Sequence, residues 1–297
     1  MVDEMPELPE VETTRRGLAP AMGGKRVLKV ELRRPDLRFP FQSDFGERIE
    51  SRTVERVARR AKYLIFNLSG GEALVAHLGM SGSFRIERPG GGEPLARFLR
   101  NGARQPIHDH VAFQMSDGVR IVYNDPRRFG FMFVTAGLDL AAHPRMRGIG
   151  VEPLDPPLTA AGLAQALAGA SAPLKAALLD QRRIAGLGNI YVCEALHRAG
   201  LSPWRSAATL AASNDEARAA LVRLSAAIRR VLMDAIDAGG STLRDFSGAE
   251  GKPGYFQHSF RVYDREGVAC SRCGCGGTIT RARQSGRSTF YCRECQC

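Results

Sequence analysis

Two groups of residues in this 297-residue chain have types and spacings suited to chemistry. The first is Met5-Pro6-Glu7-Leu8-Pro9-Glu10-Val11-Glu12. In a chain that begins at Pro6 the proline nitrogen is a free secondary amine, a nucleophile able to attack a sugar C1′ and form an iminium. Glu7 beside it offers a carboxylate that can shuttle protons. Met1 to Glu4 precede Met5, and an amide nitrogen is not a nucleophile, so residues 1–5 are read as an extension or a removed segment. The same residues also read as a helix start, with proline near the first turn and Glu7, Glu10 and Glu12 at the positive end of the helix dipole. The second group is Cys270, Cys273, Cys275, Cys292 and Cys295. Two short-spaced cysteine pairs around a strand-turn-strand segment are what a zinc ribbon with four thiolate ligands requires. Five cysteines compete for four places: Cys270 with Cys273 leaves two intervening residues and Cys270 with Cys275 leaves four, and both spacings are allowed. Four thiolates leave no open coordination position, so one structural zinc ion is expected.

Other stretches carry groups suited to a polyanion. Arg59-Arg60-Ala61-Lys62-Tyr63 opens a strand in which alternation puts Lys62 on the face of Leu64, Phe66 and Leu68, so that partial desolvation suits it to proton transfer. His77-Leu78-Gly79-Met80-Ser81-Gly82 runs from a strand into a glycine-rich turn that displays Met80. Asn124-Asp125-Pro126-Arg127-Arg128-Phe129-Gly130 is a second tip, with two guanidiniums and an aromatic ring. Together they suit a plug for the hole left when a base is drawn out of a duplex. In His108-Asp109-His110 the first histidine is read as a phosphate contact and the second as structural. Gly186-Leu187-Gly188-Asn189 leads into a helix capped by Asn189, a phosphate-binding arrangement with Lys175, Arg182 and Arg183 nearby. Gly251-Lys252-Pro253-Gly254-Tyr255-Phe256 offers backbone N–H groups and Tyr255 to phosphate.

The elements that must position these groups follow from pattern. Short β-rich runs, Val27 to Leu32, Lys62 to Leu68, Ala73 to Leu78, Ser83 to Ile86, His110 to Met115, Val119 to Tyr123 and Phe131 to Val134, are punctuated by turn residues and read as an antiparallel sandwich or barrel. A helix from the amino terminus packs on its edge. Thr135 to Pro157 is rich in glycine and proline and reads as a connector. Helical periodicity then covers roughly Thr159 to Ala168, Pro173 to Leu179, Asn189 to Ala199 and Asp215 to Ala238. Lysine and arginine number 42 against 31 acidic residues, a formal charge of +11, which points to a polyanionic partner. No apolar run of about 18 residues offers a membrane span and no signal core precedes the fold. A cytoplasmic protein is expected, in which clustered cysteines favour metal over disulfides.

Seven of these stretches, in order, resemble bacterial formamidopyrimidine-DNA glycosylase: Pro6 to Glu12, Arg59 to Tyr63, His77 to Gly82, Asp125 to Gly130, Gly186 to Tyr191, Gly251 to Phe256 and Gly286 to Cys292. The resemblance implies an α+β fold: an N-terminal helix with an antiparallel β-sandwich (6–140), a linker (141–157), a helix-two-turn-helix DNA-binding domain (158–250) and a β-hairpin zinc finger (251–297). It implies a monomeric base-excision repair enzyme that removes oxidised purines, formamidopyrimidines and 8-oxoguanine, from duplex DNA and nicks the strand by β,δ-elimination. It also implies the roles. Pro6 is the Schiff-base nucleophile and Glu7 its acid-base partner, while Lys62 and Arg287 are linked to β- and δ-elimination. Met80, Arg127 and Phe129 fill the gap, and His108, Lys175, Asn189 and Tyr255 hold phosphates. The family places 16 residues between its second and third cysteines, which selects Cys270, Cys275, Cys292 and Cys295, with Cys273 the alternative to Cys275. Where relatives carry basic residues ahead of the Lys175 segment this chain has Gly169-Ala170-Ser171-Ala172-Pro173, so no DNA contact is carried there. The sister enzyme endonuclease VIII shares several motifs, but Leu8 stands where it usually has glycine. A non-catalytic lesion binder is the reading for a chain in which Pro6 stays blocked.

Overall fold

The computed structural model describes residues 5–90, 105–211, 214–241, 254–272 and 274–297. Cys273 and Gly251 to Pro253 therefore lie outside the described residues. Two compact units emerge, one of residues 3–147 with 238–255 and the other of residues 148–237 with 256–297.

The first unit opens with α1 (Leu8–Met22), started by a reciprocal cap in which the Glu10 carboxylate accepts the Glu7 N–H and the Glu7 side chain accepts the Glu10 N–H. Two four-stranded antiparallel sheets follow. β1 (Val27–Leu32), β6 (Asp109–Met115), β7 (Arg120–Asn124) and β5 (Ser83–Glu87) form one, in that order. β2 (Val54–Arg60), β3 (Tyr63–Leu68), β4 (Glu72–His77) and β8 (Phe131–Ala136) form the other. Phe66 of the second sheet meets Phe84 of the first edge to face at 6.3 Å. Val11, Leu18 and Met22 of α1 join Val57, Leu64, Phe113 and Ile121 in one buried core, which α2 (Phe45–Ile49) closes with Phe45 and Ile49. β4, β6, β7 and β8 bury consecutive apolar residues, Leu74 to Ala76 and Phe131 to Val134 among them, so these strands are covered on both faces.

The seven expected strands are present, β1 with the expected ends and the others shifted by at most two residues, and β2 is an eighth that the pattern did not reveal. One placement is corrected. Ala61 and Lys62 form a two-residue turn between the paired residues Arg60 and Tyr63, with Ala61 in the left-handed region at φ 53°, so Lys62 precedes β3 instead of opening it.

The second unit holds α3 (Ala160–Leu167), α4 (Leu174–Leu179), α5 (Asn189–Ala199) and α6 (Asp215–Asp237), then the hairpin of β9 (Ile279–Gln284) and β10 (Arg287–Cys292). Ser285 and Gly286 both have positive φ, the turn that suits the twist of a two-residue hairpin. Gly188, in extended backbone, is the N-cap of α5, and Asn189 is its first helical residue. The expectation that Asn189 caps the helix is thus corrected: its side chain turns to another partner. The Glu194 carboxylate, fully buried on α5, accepts N–H groups from Arg261, Val262 and Tyr263 at 2.9–3.1 Å, fixing the chain that leads into the hairpin. Among the described residues no helix is long and apolar enough to cross a membrane.

Candidate functional site

In the first unit the cap at Glu7 leaves Pro6 immediately ahead of α1, and both residues are buried. Glu12, one turn on, accepts from Arg15 at 2.9 Å and from Arg59 at 3.3 Å, while Arg59 also donates to the Ala61 carbonyl at 3.0 Å. The turn that carries Lys62 is in this way tied to the helix that carries Glu7. Burial would raise the Glu12 pKa, but hydrogen bonds from Arg15 and Arg16 and the charge of Arg59 outweigh it and hold the carboxyl below its ordinary value. Lys62 is buried to 7 % exposure, in line with a desolvated ammonium. Its charge, after burial and together with Arg38, pushes His77 down to about 4. His77 is therefore neutral at pH 7. Its Nδ1 accepts the Gly79 N–H at 3.0 Å, and its ring stacks on Phe131 with centroids 5.1 Å apart.

The two tips meet. A cleft of about 500 Å³ is lined by Gly79 and Met80 from one and Arg127, Arg128 and Phe129 from the other, with Met5, Asp36, Leu37 and Arg38 completing it. The Arg127 guanidinium lies 5.1 Å from the Phe129 ring centroid, a cation–π contact. The tip residues 126–129 are exposed while Asp125 beneath them is wholly buried. Met5, part of the cleft wall, is the residue before Pro6. His108 is half-buried, and its carbonyl accepts the Asp125 N–H at 3.0 Å. His110 is buried with Nε2 2.9 Å from the Asp125 carbonyl oxygen, which fits the structural part expected of it. Tyr255 is 60 % exposed, and its N–H donates to the Ala238 carbonyl.

In the second unit Lys175 and Asn189 converge on one atom. The Lys175 ammonium donates to the Ser288 carbonyl at 3.0 Å and the Thr289 hydroxyl at 2.7 Å, and Asn189 Nδ2 donates to the same carbonyl at 3.0 Å. Both residues thus hold β10 one and two residues past the exposed Arg287. Lys175 is only 1 % exposed, a burial that pattern cannot anticipate because the covering strand comes 113 residues later. Asn189 Oδ1 is buried without a partner among the described residues.

The ligand atoms of Cys270, Cys275, Cys292 and Cys295 all lie within 4.8 Å of one another. The Cys270 and Cys295 sulfurs are 3.8 Å apart and those of Cys275 and Cys292 3.4 Å, too long for a bond of about 2.05 Å and near the edge of a tetrahedron with metal–sulfur bonds of about 2.3 Å. Burial and the three neighbouring sulfurs push the Cys295 thiol up to about 12. Burial raises Cys270 as well, while at Cys292 burial is outweighed by hydrogen bonds from the Cys295 and Glu294 backbone and from Cys275, which lower it. Four sulfurs at these spacings, which a divalent cation binds as thiolates, form a donor set that fits a metal ion. His197 on α5 stands behind it, with Nε2 3.3 Å from the Cys270 sulfur. Burial and then Arg272 lower His197 to about 4, so it too is neutral.

Pattern reading missed Glu194, Ser81 and Asp125. Glu194 betrays itself only as a carboxylate on an otherwise apolar helix face. Ser81 and Asp125 lie inside the quoted motifs, but nothing in their spacing says that they touch.

Comparison with known proteins agrees with this architecture. A family model described as the formamidopyrimidine-DNA glycosylase N-terminal domain matches residues 5–132, and one described as the formamidopyrimidine-DNA glycosylase H2TH domain matches residues 149–247. The formamidopyrimidine-DNA glycosylase of Beijerinckia indica is 59% identical over 292 residues, covering 98% of this chain and 100% of that protein. The MutM (Fpg) protein of Thermus thermophilus superimposes with a TM-score of 0.79 at 40% identity, over 98% of each chain. The Lactococcus lactis Fpg in complex with abasic-site DNA gives a TM-score of 0.81 at 29% identity, over 98% of this chain and 99% of that one. With family models spanning most of its length and a relative at this identity, the chain belongs to the formamidopyrimidine-DNA glycosylase family.

Proposed function

We propose that the protein is a base-excision repair glycosylase that removes formamidopyrimidines and 8-oxoguanine from duplex DNA and then nicks the strand at the abasic site. The observation that carries this reading is the shared cleft: Met80, Arg127 and Phe129 line it together with Met5, the neighbour of Pro6. Gap-filling groups therefore stand beside the start of α1. In the active form the chain begins at Pro6, whose amine lone pair attacks C1′ while the bond from C1′ to the base breaks and the amine proton passes to the departing base. Glu7 gives its proton to the ring oxygen as the sugar opens to the iminium. The Lys62 ammonium serves loss of the 3′-phosphate, and Arg287, held by Lys175 and Asn189 through the next residues of β10, serves loss of the 5′-phosphate. His108, Asn189 and Tyr255 lie along the backbone of the DNA, Lys175 serves it through the β10 residues it holds, and the hairpin is held by zinc on Cys270, Cys275, Cys292 and Cys295. Bound there, zinc supplies rigidity, not reaction chemistry, because four thiolates complete its shell. The enzyme works as a cytoplasmic monomer, meeting its substrate at the nucleoid.

Borohydride trapping on a duplex with 8-oxoguanine opposite cytosine tests this reading, with the cross-linked peptide identified by mass. An adduct on a peptide that begins at Pro6 supports nucleophile, lesion class and mature start together. Trapping only with oxidised pyrimidines would favour an endonuclease VIII-like specificity. Duplex binding without an adduct, from protein that begins before Pro6, would favour a lesion binder.

A further inference from the structure

Met80 and the Arg127–Phe129 tip come from turns more than 40 residues apart in the chain, yet a plug works only if both arrive in one register. What joins them is buried chemistry. Asp125 is wholly buried, and its Oδ1 accepts the Ser81 hydroxyl at 2.5 Å. Its Oδ2 accepts the Gly130 N–H at 2.8 Å and the Tyr123 hydroxyl at 3.2 Å. The Ser81 oxygen in turn accepts the Arg127 N–H at 3.1 Å. One carboxylate and one hydroxyl thus bind the residue after Met80 to both ends of the segment that displays Arg127 and Phe129. The surroundings leave no slack. A Cβ on Gly79, whose φ is +64°, would overlap the Phe129 and Gly130 backbone, and one on Gly130 would overlap the Tyr123 hydroxyl. Burial and the adjacent carboxylate keep Tyr123 protonated and donating.

We propose that Asp125, acting through Ser81, is a positioning residue that holds Met80 and Arg127-Phe129 in a single register, so that both tips enter the duplex as one body. The inference rests on the reading of those three residues as gap fillers. A carboxylate suits the place because three donors converge on its two oxygens, and hydrogen bonds to an ionised acceptor are shorter and stronger than neutral ones. Without Ser81 Oγ the hydrogen bond from the Arg127 amide and the hydroxyl donor to Asp125 are both removed. The tips then separate while Pro6 and Glu7 keep their places ahead of α1 and Lys62 keeps its place in the β2–β3 turn.

The test uses full protein that begins at Pro6, as wild type, Ser81→Ala, Ser81→Thr and Asp125→Asn. Three readouts are compared: single-turnover excision of 8-oxoguanine from a duplex, nicking at a preformed abasic site in a single strand, and the fluorescence of a 2-aminopurine next to the lesion. A single strand has no partner to plug, so it reports the amine chemistry without the tips. Ser81→Ala is expected to slow duplex excision by about tenfold, as for loss of a buried hydrogen bond, and to abolish the fluorescence rise on binding. Single-strand nicking should stay within about twofold, and Ser81→Thr, which keeps the hydroxyl, should restore the duplex reaction. Equal losses on both substrates, duplex excision at the wild-type rate in Ser81→Ala and Asp125→Asn, or unfolding of both variants would overturn the proposal. Wild-type protein that nicks single strands but never excises the lesion would instead remove the underlying reading, and the proposal with it.

Discussion

Lys62 shows at the scale of one residue what sequence discloses and what it hides. Its desolvation was legible from the apolar stripe of Leu64, Phe66 and Leu68, but its position in a turn was not, because Ala61 and Lys62 lack the glycine or asparagine that usually marks a two-residue loop. Replacing Lys62 with alanine is expected to slow base release and β-elimination by about 10²-fold, the lower end for loss of a positioned proton donor. The melting temperature should stay near the wild-type value; full activity in the variant would remove Lys62 from the mechanism. His77 makes a pH prediction. Its folded pKa of about 4 lies below the ordinary 6.5, so between those values the unfolded chain binds the extra proton and the folded one does not. Stability therefore falls as pH drops from about 6.5 to about 4. His77→Phe keeps an aromatic stack on Phe131, and thermal melts across that window should show a shallower loss than wild type. The Ser81–Asp125 contact was invisible in sequence for a simpler reason: its partners are 44 positions apart, and each alone looks like ordinary turn chemistry.

Among the elements, legibility followed hydrophobic contrast. α5 and α6 were found within a residue of their ends because apolar periodicity meets clear boundaries, Gly188 and Gly200 for α5 and an acidic first turn for α6. β2 escaped because Val-Glu-Arg-Val-Ala-Arg-Arg carries four charges and buries chiefly Val54 and Val57; its pairing with β3, not its own pattern, makes it a strand. The hairpin was legible from its cysteines, yet its anchorage by Lys175 and Asn189 was not, since a lysine and an asparagine after a glycine turn read equally well as surface groups. Cys292→Ser should reduce bound zinc below one per chain and weaken duplex binding in the same protein, with metal measured by atomic emission and affinity by fluorescence anisotropy. Retained zinc stoichiometry would sink the assignment of that ligand. Because Cys292 also donates its N–H to Gln296, whose amide reaches the Leu201 carbonyl, the backbone of the finger has a second tether that metal removal leaves in place.

For the whole molecule, net charge was the property read most directly. A chain of +11 that neutralises several phosphates must release the counterions they held. Its duplex affinity should therefore fall by about 10³-fold between about 50 and about 200 mM salt, and a titration showing a flat dependence would contradict backbone binding. Composition marked the connector around residues 141–157, but the finger groups with the helices, and residues 238–255 group with the sandwich. The chain thus leaves the first unit near residue 147, returns at 238 and leaves again after 255. Within that returning stretch the Ser241 N–H donates to the Glu10 carboxylate at 2.8 Å, the same carboxylate that caps the Glu7 amide. Neither unit is one uninterrupted piece of the gene. A crossover at the connector would hand on a sandwich without the segment that supports the start of its own first helix, so the two halves are inherited as a pair and resist the modular exchange open to domains strung end to end.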